Sequence, residues 1–160
     1  MLVYHGSTYK VLQPLAKAGR KDLDFGQGFY VTDILEQARK WAERVSRQRQ
    51  EPAVVTVYEF DKEKAMKQYR YLSFPHYDIQ WLDFISGCRT GKPLWKQYDC
   101  VEGGIANDRV IDTVESYIAG TIDAVHALAE LSKHSPNNQI CFLNQQVIDT
   151  CLTYKEVLPC

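Results

Sequence analysis

The chain has no long hydrophobic run: its apolar residues nowhere approach the roughly 20 in succession that a membrane-crossing helix needs. Its first residues also lack the charged and apolar regions of a secretion signal, so a cytoplasmic location is expected. Neither sign of charge is in surplus: 19 Lys and Arg stand against 20 Asp and Glu. A broad nucleic-acid or membrane surface is therefore not expected, and any basic face would be local. Internal repeats, low-complexity tracts and CxxC pairs are absent. The five cysteines, at 88, 100, 141, 151 and 160, are odd in number and scattered, and read as reduced, packed thiols. His5, His76, His126 and His134 lie far apart or at spacings unlike those of short zinc-ligand pairs, so no metal is expected.

What is present suits one domain spanning 1–160, with 45% apolar residues to fill a core. Leu2 to His5 reads as a short strand ended by Gly6. A polar loop follows from about Leu15 to Phe25, and Gln27 to Thr32 forms a second strand. Asp33 is placed to cap a helix from Ile34 to about Arg49, with Ile34, Ala38, Trp41, Ala42 and Val45 recurring at helical spacing. Ala53 to Phe60 is the strongest strand, closed by Asp61. Met66 to Pro93 reads as irregular apart from a short helix over Tyr77 to Ile85 that turns Trp81 and Ile85 inward. A short strand over Asp99 to Gly104 follows. Val110 to about Lys133 is expected to be helical with a break near Gly120, its apolar stripe formed by Ile122, Val125, Leu128 and Leu131. Pro136 to Asn138 signals a turn into a strand over Gln139 to Leu143. The tail from Val147 to Tyr154 is one more strand or a short helix. The sum is a mixed α+β domain without regular βαβ alternation.

Three strand-borne features bear on chemistry: His5-Gly6-Ser7-Thr8 on the first strand, Gly28-Phe29-Tyr30 on the second, and Gln139 opening a late one. In this order, with Phe25-Gly26-Gln27-Gly28-Phe29-Tyr30-Val31-Thr32 leading into a helix that carries Ala38 and Trp41, they resemble the ADP-ribosyltransferase superfamily. More closely, the chain is similar to a bacterial family of unknown function within it. The likeness takes in Tyr98 to Asp108 and Asn138 to Phe142, and so spans about residues 3–143. It implies a split pair of antiparallel sheets with helices around a cleft that holds NAD.

The implied reaction breaks the bond between nicotinamide and ribose through an oxocarbenium-like state, so the protein must grip the leaving group and stabilise positive charge. In that setting His5 would bond a ribose hydroxyl with one ring nitrogen while a neighbour fixes the other. The bare backbone of Gly6 would pair with the nicotinamide amide, Ser7 would add a hydroxyl contact, and Tyr30 would stack on nicotinamide. Gly26 and Gly28 would let the loop pass close to the ligand. The superfamily commonly has a glutamate where this chain has Gln139, and a glutamine keeps a hydrogen bond but neither charge nor basicity. Glu102 and Asp108 are candidates for the missing charge; Asp108 also reads as a cap for the helix from Val110. Arg39, Lys40, Arg44, Arg47 and Arg49 would meet NAD pyrophosphate, an acidic target or simply solvent.

The resemblance implies an intracellular ADP-ribosyltransferase acting on a protein or nucleic-acid acceptor, with NAD as substrate. A toxin restrained by an antitoxin or inhibitor protein, or a phage-defence role, is compatible with it. A degenerate NAD-binding module and an NAD glycohydrolase are the alternatives. A rival reading makes Cys141 or Cys151 a thiol nucleophile with His5 or His76.

Overall fold

A computed structural model describes residues 1–160. Its fold is α+β, with six helices and two sheets. The first sheet has the order β1-β3-β7 and is antiparallel throughout: β1 is Leu2–Ser7, β3 Val54–Phe60 and β7 Leu152–Pro159. The second has the order β2-β6-β5-β4, from Phe29–Val31, Gln139–Phe142, Cys100–Gly103 and Tyr71–Phe74. Its β4–β5 pair is parallel, so this sheet is mixed and the expected all-antiparallel pair of sheets is corrected. A parallel neighbour needs a long crossover, which α3 (Ile79–Arg89) and a 3-10 turn (Leu94–Gln97) provide.

Three layers of apolar side chains separate these elements. Val3, Phe29, Val31, Tyr58, Phe60, Ile140 and Phe142 fill the space between the sheets, closed by Ala65 of α2 (Lys62–Gln68) and by Val147 and Ile148 of α6 (Gln145–Cys151). The outer face of the second sheet, with Val101 and Cys141, packs against Trp81, Leu82 and Ile85 of α3, Val114 of α4 (Ile111–Ile118) and Leu131 of α5 (Ala124–Leu131). The outer face of the first sheet packs against Ala38 and Ala42 of α1 (Leu35–Arg49).

Several boundaries differ from the sequence reading for local reasons. β1 runs through Gly6 to Ser7 because β3 continues beside it, pairing Gly6 with Val55 and Ser7 with Val54. Asp33 does not cap α1; the Thr32 hydroxyl accepts from the Ile34 amide at 3.1 Å, and the cap residue Ile34 makes no side-chain bond. Ile34 and Trp41 stand outside, with Trp41 54% exposed beside Arg44, since only the small Ala38 and Ala42 fit where α1 lies on the sheet. The stretch expected to be irregular contains the end of α2, β4 and all of α3, which starts two residues later than expected under an Asp78 cap and does bury Trp81 and Ile85. The expected break near Gly120 is present. That glycine has φ +75, and Asp123 caps the second helix, though Val125 points outward at 76% exposure. Asp108 does not cap α4, where no side-chain cap exists and Asn107 instead supports the turn by accepting from the Arg109 amide. The tail is both a helix and a strand, α6 and then β7.

Candidate functional site

The backbones of the two sheets are bridged at one point. Tyr4 of β1 and Thr32, just after β2, exchange a pair of backbone bonds of 2.8 and 3.0 Å. Antiparallel strands alternate which residues face a given neighbour, so Gly6, two residues beyond Tyr4, points its N–H and C=O to the same side. In continued register it would face Tyr30. It does not pair there: the His5 ring nitrogen Nδ1 takes the Tyr30 carbonyl at 2.8 Å, and no hydrogen bond joins Gly6 to β2. A side chain has replaced the next rung of the ladder, and the sheets part.

That contact fixes the chemistry of His5. A carbonyl only accepts, so Nδ1 carries the proton and Nε2 is left as the acceptor of the neutral ring. Burial lowers the pKa of His5 from its ordinary value, outweighing the opposing effect of the Tyr30 carbonyl, so the ring stays neutral at pH 7. The ring is braced by Phe29, with centroids 4.6 Å apart. Gly6 itself is required on its other side, because a Cβ there would lie 2.1 Å from the Ala38 carbonyl oxygen of α1. Ser7 spends its hydroxyl on the next turn, donating to the Tyr9 carbonyl and accepting from the Tyr9 amide. The neighbouring Thr8 hydroxyl oxygen is closed off with no partner.

Tyr30 thus meets His5 through its backbone. Its ring alternates to the face opposite Phe29, and its hydroxyl donates to the Gly26 carbonyl at 2.6 Å and accepts from the Phe25 amide at 3.1 Å. The close approaches at Gly26 and Gly28 are to protein: added Cβ atoms would lie 2.0 Å from Trp95 Cγ and 2.3 Å from Cys141 Sγ. Gln139 opens β6 opposite Gly103 and falls on the same face as Tyr30 and Cys141. Its amide Nε2 is enclosed and makes no hydrogen bond.

The two carboxylates expected near Gln139 lie elsewhere. Glu102 pairs with Ile140 and sits on the opposite face of the sheet, where Lys62 Nζ (2.8 Å), the Tyr71 hydroxyl (2.6 Å) and Asn138 Nδ2 (3.0 Å) engage both oxygens. Burial pushes its pKa up, but these bonds together hold it below the usual carboxylate value. Asp108 is almost fully exposed, 3.7 Å from Arg44. The thiol pairing is not formed. Cys141 and Cys151 are buried, neither bonds a histidine, and burial pushes the Cys141 pKa far up, against the thiolate. His76 is exposed. Sequence reasoning missed Asp24, whose oxygens accept from Arg89 Nη1 and the Ala106 amide, each at 3.1 Å. Its signal was slight, an acidic residue two positions before Gly26. Surface hollows of about 350 and 410 Å³, one beside Pro14 and Asp149 and one beside Glu59 and Lys62, include none of His5, Gly6, Tyr30, Gln139 and Asp24.

Residues 1–154 match the family described as "Protein of unknown function (DUF3990)", and the chain belongs to that family. No curated protein and no solved structure matches it. No helix is long and apolar enough to cross a membrane.

Proposed function

We propose that the chain is a mono-ADP-ribosyltransferase of ADP-ribosyltransferase-like fold, which cleaves NAD at the nicotinamide–ribose bond and transfers ADP-ribose to a macromolecular acceptor. The observation that carries this reading is the interrupted ladder at His5. A carboxamide offers one carbonyl and one NH₂, which complement the unpaired N–H and C=O of Gly6, and the His5 Nε2 acceptor stands one residue away for a ribose hydroxyl. Tyr30, on the edge strand β2, would provide a flat surface for nicotinamide once its ring, held by Gly26 and Phe25, turns toward the ligand.

In the reaction the C–N bond to nicotinamide breaks, the bonding pair leaves with nicotinamide, and the acceptor's nucleophile attacks the ribose carbon. Gln139 would bond a ribose hydroxyl without supplying charge. An uncharged amide there is also what favours the second reading, a module that binds NAD without turning it over; hydrolysis to free ADP-ribose is the further alternative.

Nicotinamide release from NAD by the purified protein, alone and with cell lysate as a source of acceptors, tests the proposal. Release that falls at least tenfold in His5→Ala, and that rises with lysate, is the expected outcome. Release indifferent to lysate would mean hydrolysis, and NAD binding with no release would mean the binding module. A toxin restrained by a partner protein belongs to the same proposal: expression in bacteria should arrest growth, and His5→Ala should relieve the arrest.

A further inference from the structure

We propose, resting on the NAD reading above, that Asp24 is the positioning carboxylate of this site: when NAD binds it takes the Gln139 amide nitrogen, which is enclosed and unpartnered in this structure, turns Oε1 outward to a ribose hydroxyl, and supplies the negative charge that Gln139 lacks. Asp24 lies in the loop between β1 and β2 and is anchored from two directions, by Arg89 of α3 and by the Ala106 amide after β5. Its side chain is 17% exposed. A carboxylate has room for about four hydrogen bonds, so these two leave acceptor capacity free. Gln139 Nε2 is the complementary group, an enclosed donor with no partner, while Oε1 is not enclosed in this way.

The two groups act on one another: the Gln139 amide is among the groups that favour the ionised form of Asp24, against the larger effect of burial. Geometry brings the carboxylate to the same region: the next residue, Phe25, gives its amide to the Tyr30 hydroxyl at 3.1 Å, and Ala106, which bonds Asp24, follows three residues after Gly103, the partner of Gln139. Since a carboxylate only accepts, it orients the amide with nitrogen inward and oxygen outward. An amide polarised by a neighbouring anion is a stronger acceptor at its oxygen. One glutamate's work is thereby divided, with contact made by Gln139 and charge held behind it by Asp24.

Four proteins test this: wild type, Asp24→Asn, Gln139→Glu and the double variant, each measured for thermal stability, NAD affinity and nicotinamide release. Gln139→Glu alone would set two carboxylates together and should lower the melting temperature at pH 7.5, and Asp24→Asn should remove most of that penalty. Asp24→Asn alone should keep NAD affinity within about threefold and lower kcat about a hundredfold, with Gln139→Glu restoring much of it in the double variant. Asp24→Ser replaces the amide variant if the latter does not fold. Additive melting-temperature changes would overturn the pairing. An unchanged kcat in Asp24→Asn, with wild type active, would overturn the role and leave the NAD reading standing. Absence of both NAD binding and release in wild type would overturn both.

Discussion

At the scale of residues, the site depends on His5 and Gly6 acting against the strand that contains them. A neutral His5 is needed for Nε2 to accept, and burial lowers its pKa below the ordinary 6.5. NAD affinity should therefore be flat from neutral pH upward and fall only in acid, through a folded pKa below the ordinary 6.5. A loss that instead centred at or above 6.5 in a calorimetric pH series would show a ring more exposed than this one. Gly6 has a separate constraint. Gly6→Ala drives a methyl into the Ala38 carbonyl, so α1 must shift, and overpacking of this kind costs about 3 kcal/mol. Urea unfolding should register that loss even without NAD, whereas a purely ligand-facing glycine would leave apo stability unchanged.

Among the elements, Glu102 joins more pieces than any expected catalytic residue does. From β5 it reaches Lys62 at the start of α2, Tyr71 in β4 and Asn138 before β6, and Asn138 in turn bonds Asp33 and accepts from Gln37 of α1. Glu102→Gln should cost about 2 kcal/mol in chemical denaturation, because Lys62 loses its partner but is partly exposed and regains some hydration. Nicotinamide release per folded molecule should stay within about twofold of wild type; a collapse of kcat would return Glu102 to the chemistry. This network also explains what the sequence made legible and what it did not. β3 and the break at Gly120 were readable because seven apolar-rich residues and a positive-φ glycine are strong local signals. β4 has four residues and lies two residues after α2, too short for any periodicity to emerge, and its parallel pairing with β5 is set by packing far along the chain. His5, Tyr30 and Gln139 are candidates from their order along the chain, the first two also from the glycines near them. Asp24 was not, since only the fold brings it to Arg89 and Ala106, 65 and 82 positions away.

For the whole molecule, two aspartates, Asp99 and Asp24, pull stability in opposite directions with pH. Asp99 ties the second sheet together: it receives the Arg70 guanidinium at 2.9 Å, the Arg70 amide at 2.9 Å and Asn144 Nδ2 at 3.0 Å, and its pKa falls to about 2. A depressed folded pKa stabilises above the unfolded value near 4, and this stability is lost as pH falls from 4 towards 2. Asp24 has the opposite sign. Burial raises its pKa above 3.8, so the folded state favours the protonated acid; that stability is complete below 3.8 and is lost as pH rises through the folded pKa. Above that folded pKa the protein holds an Asp24 charge that it would bind better as a neutral group, with the Ala106 amide and Arg89 offsetting only part of the cost of burial. Asp24→Asn keeps an acceptor for the Ala106 amide and removes the charge, so it should leave the melting temperature at pH 7.5 equal to wild type or a few degrees higher, and lower it relative to wild type below pH 4. Thermal scans across pH 3 to 8 measure both signs at once. A variant less stable than wild type at pH 7.5 would mean that the Arg89 pair outweighs desolvation, and that the charge is retained for the fold and not at its expense.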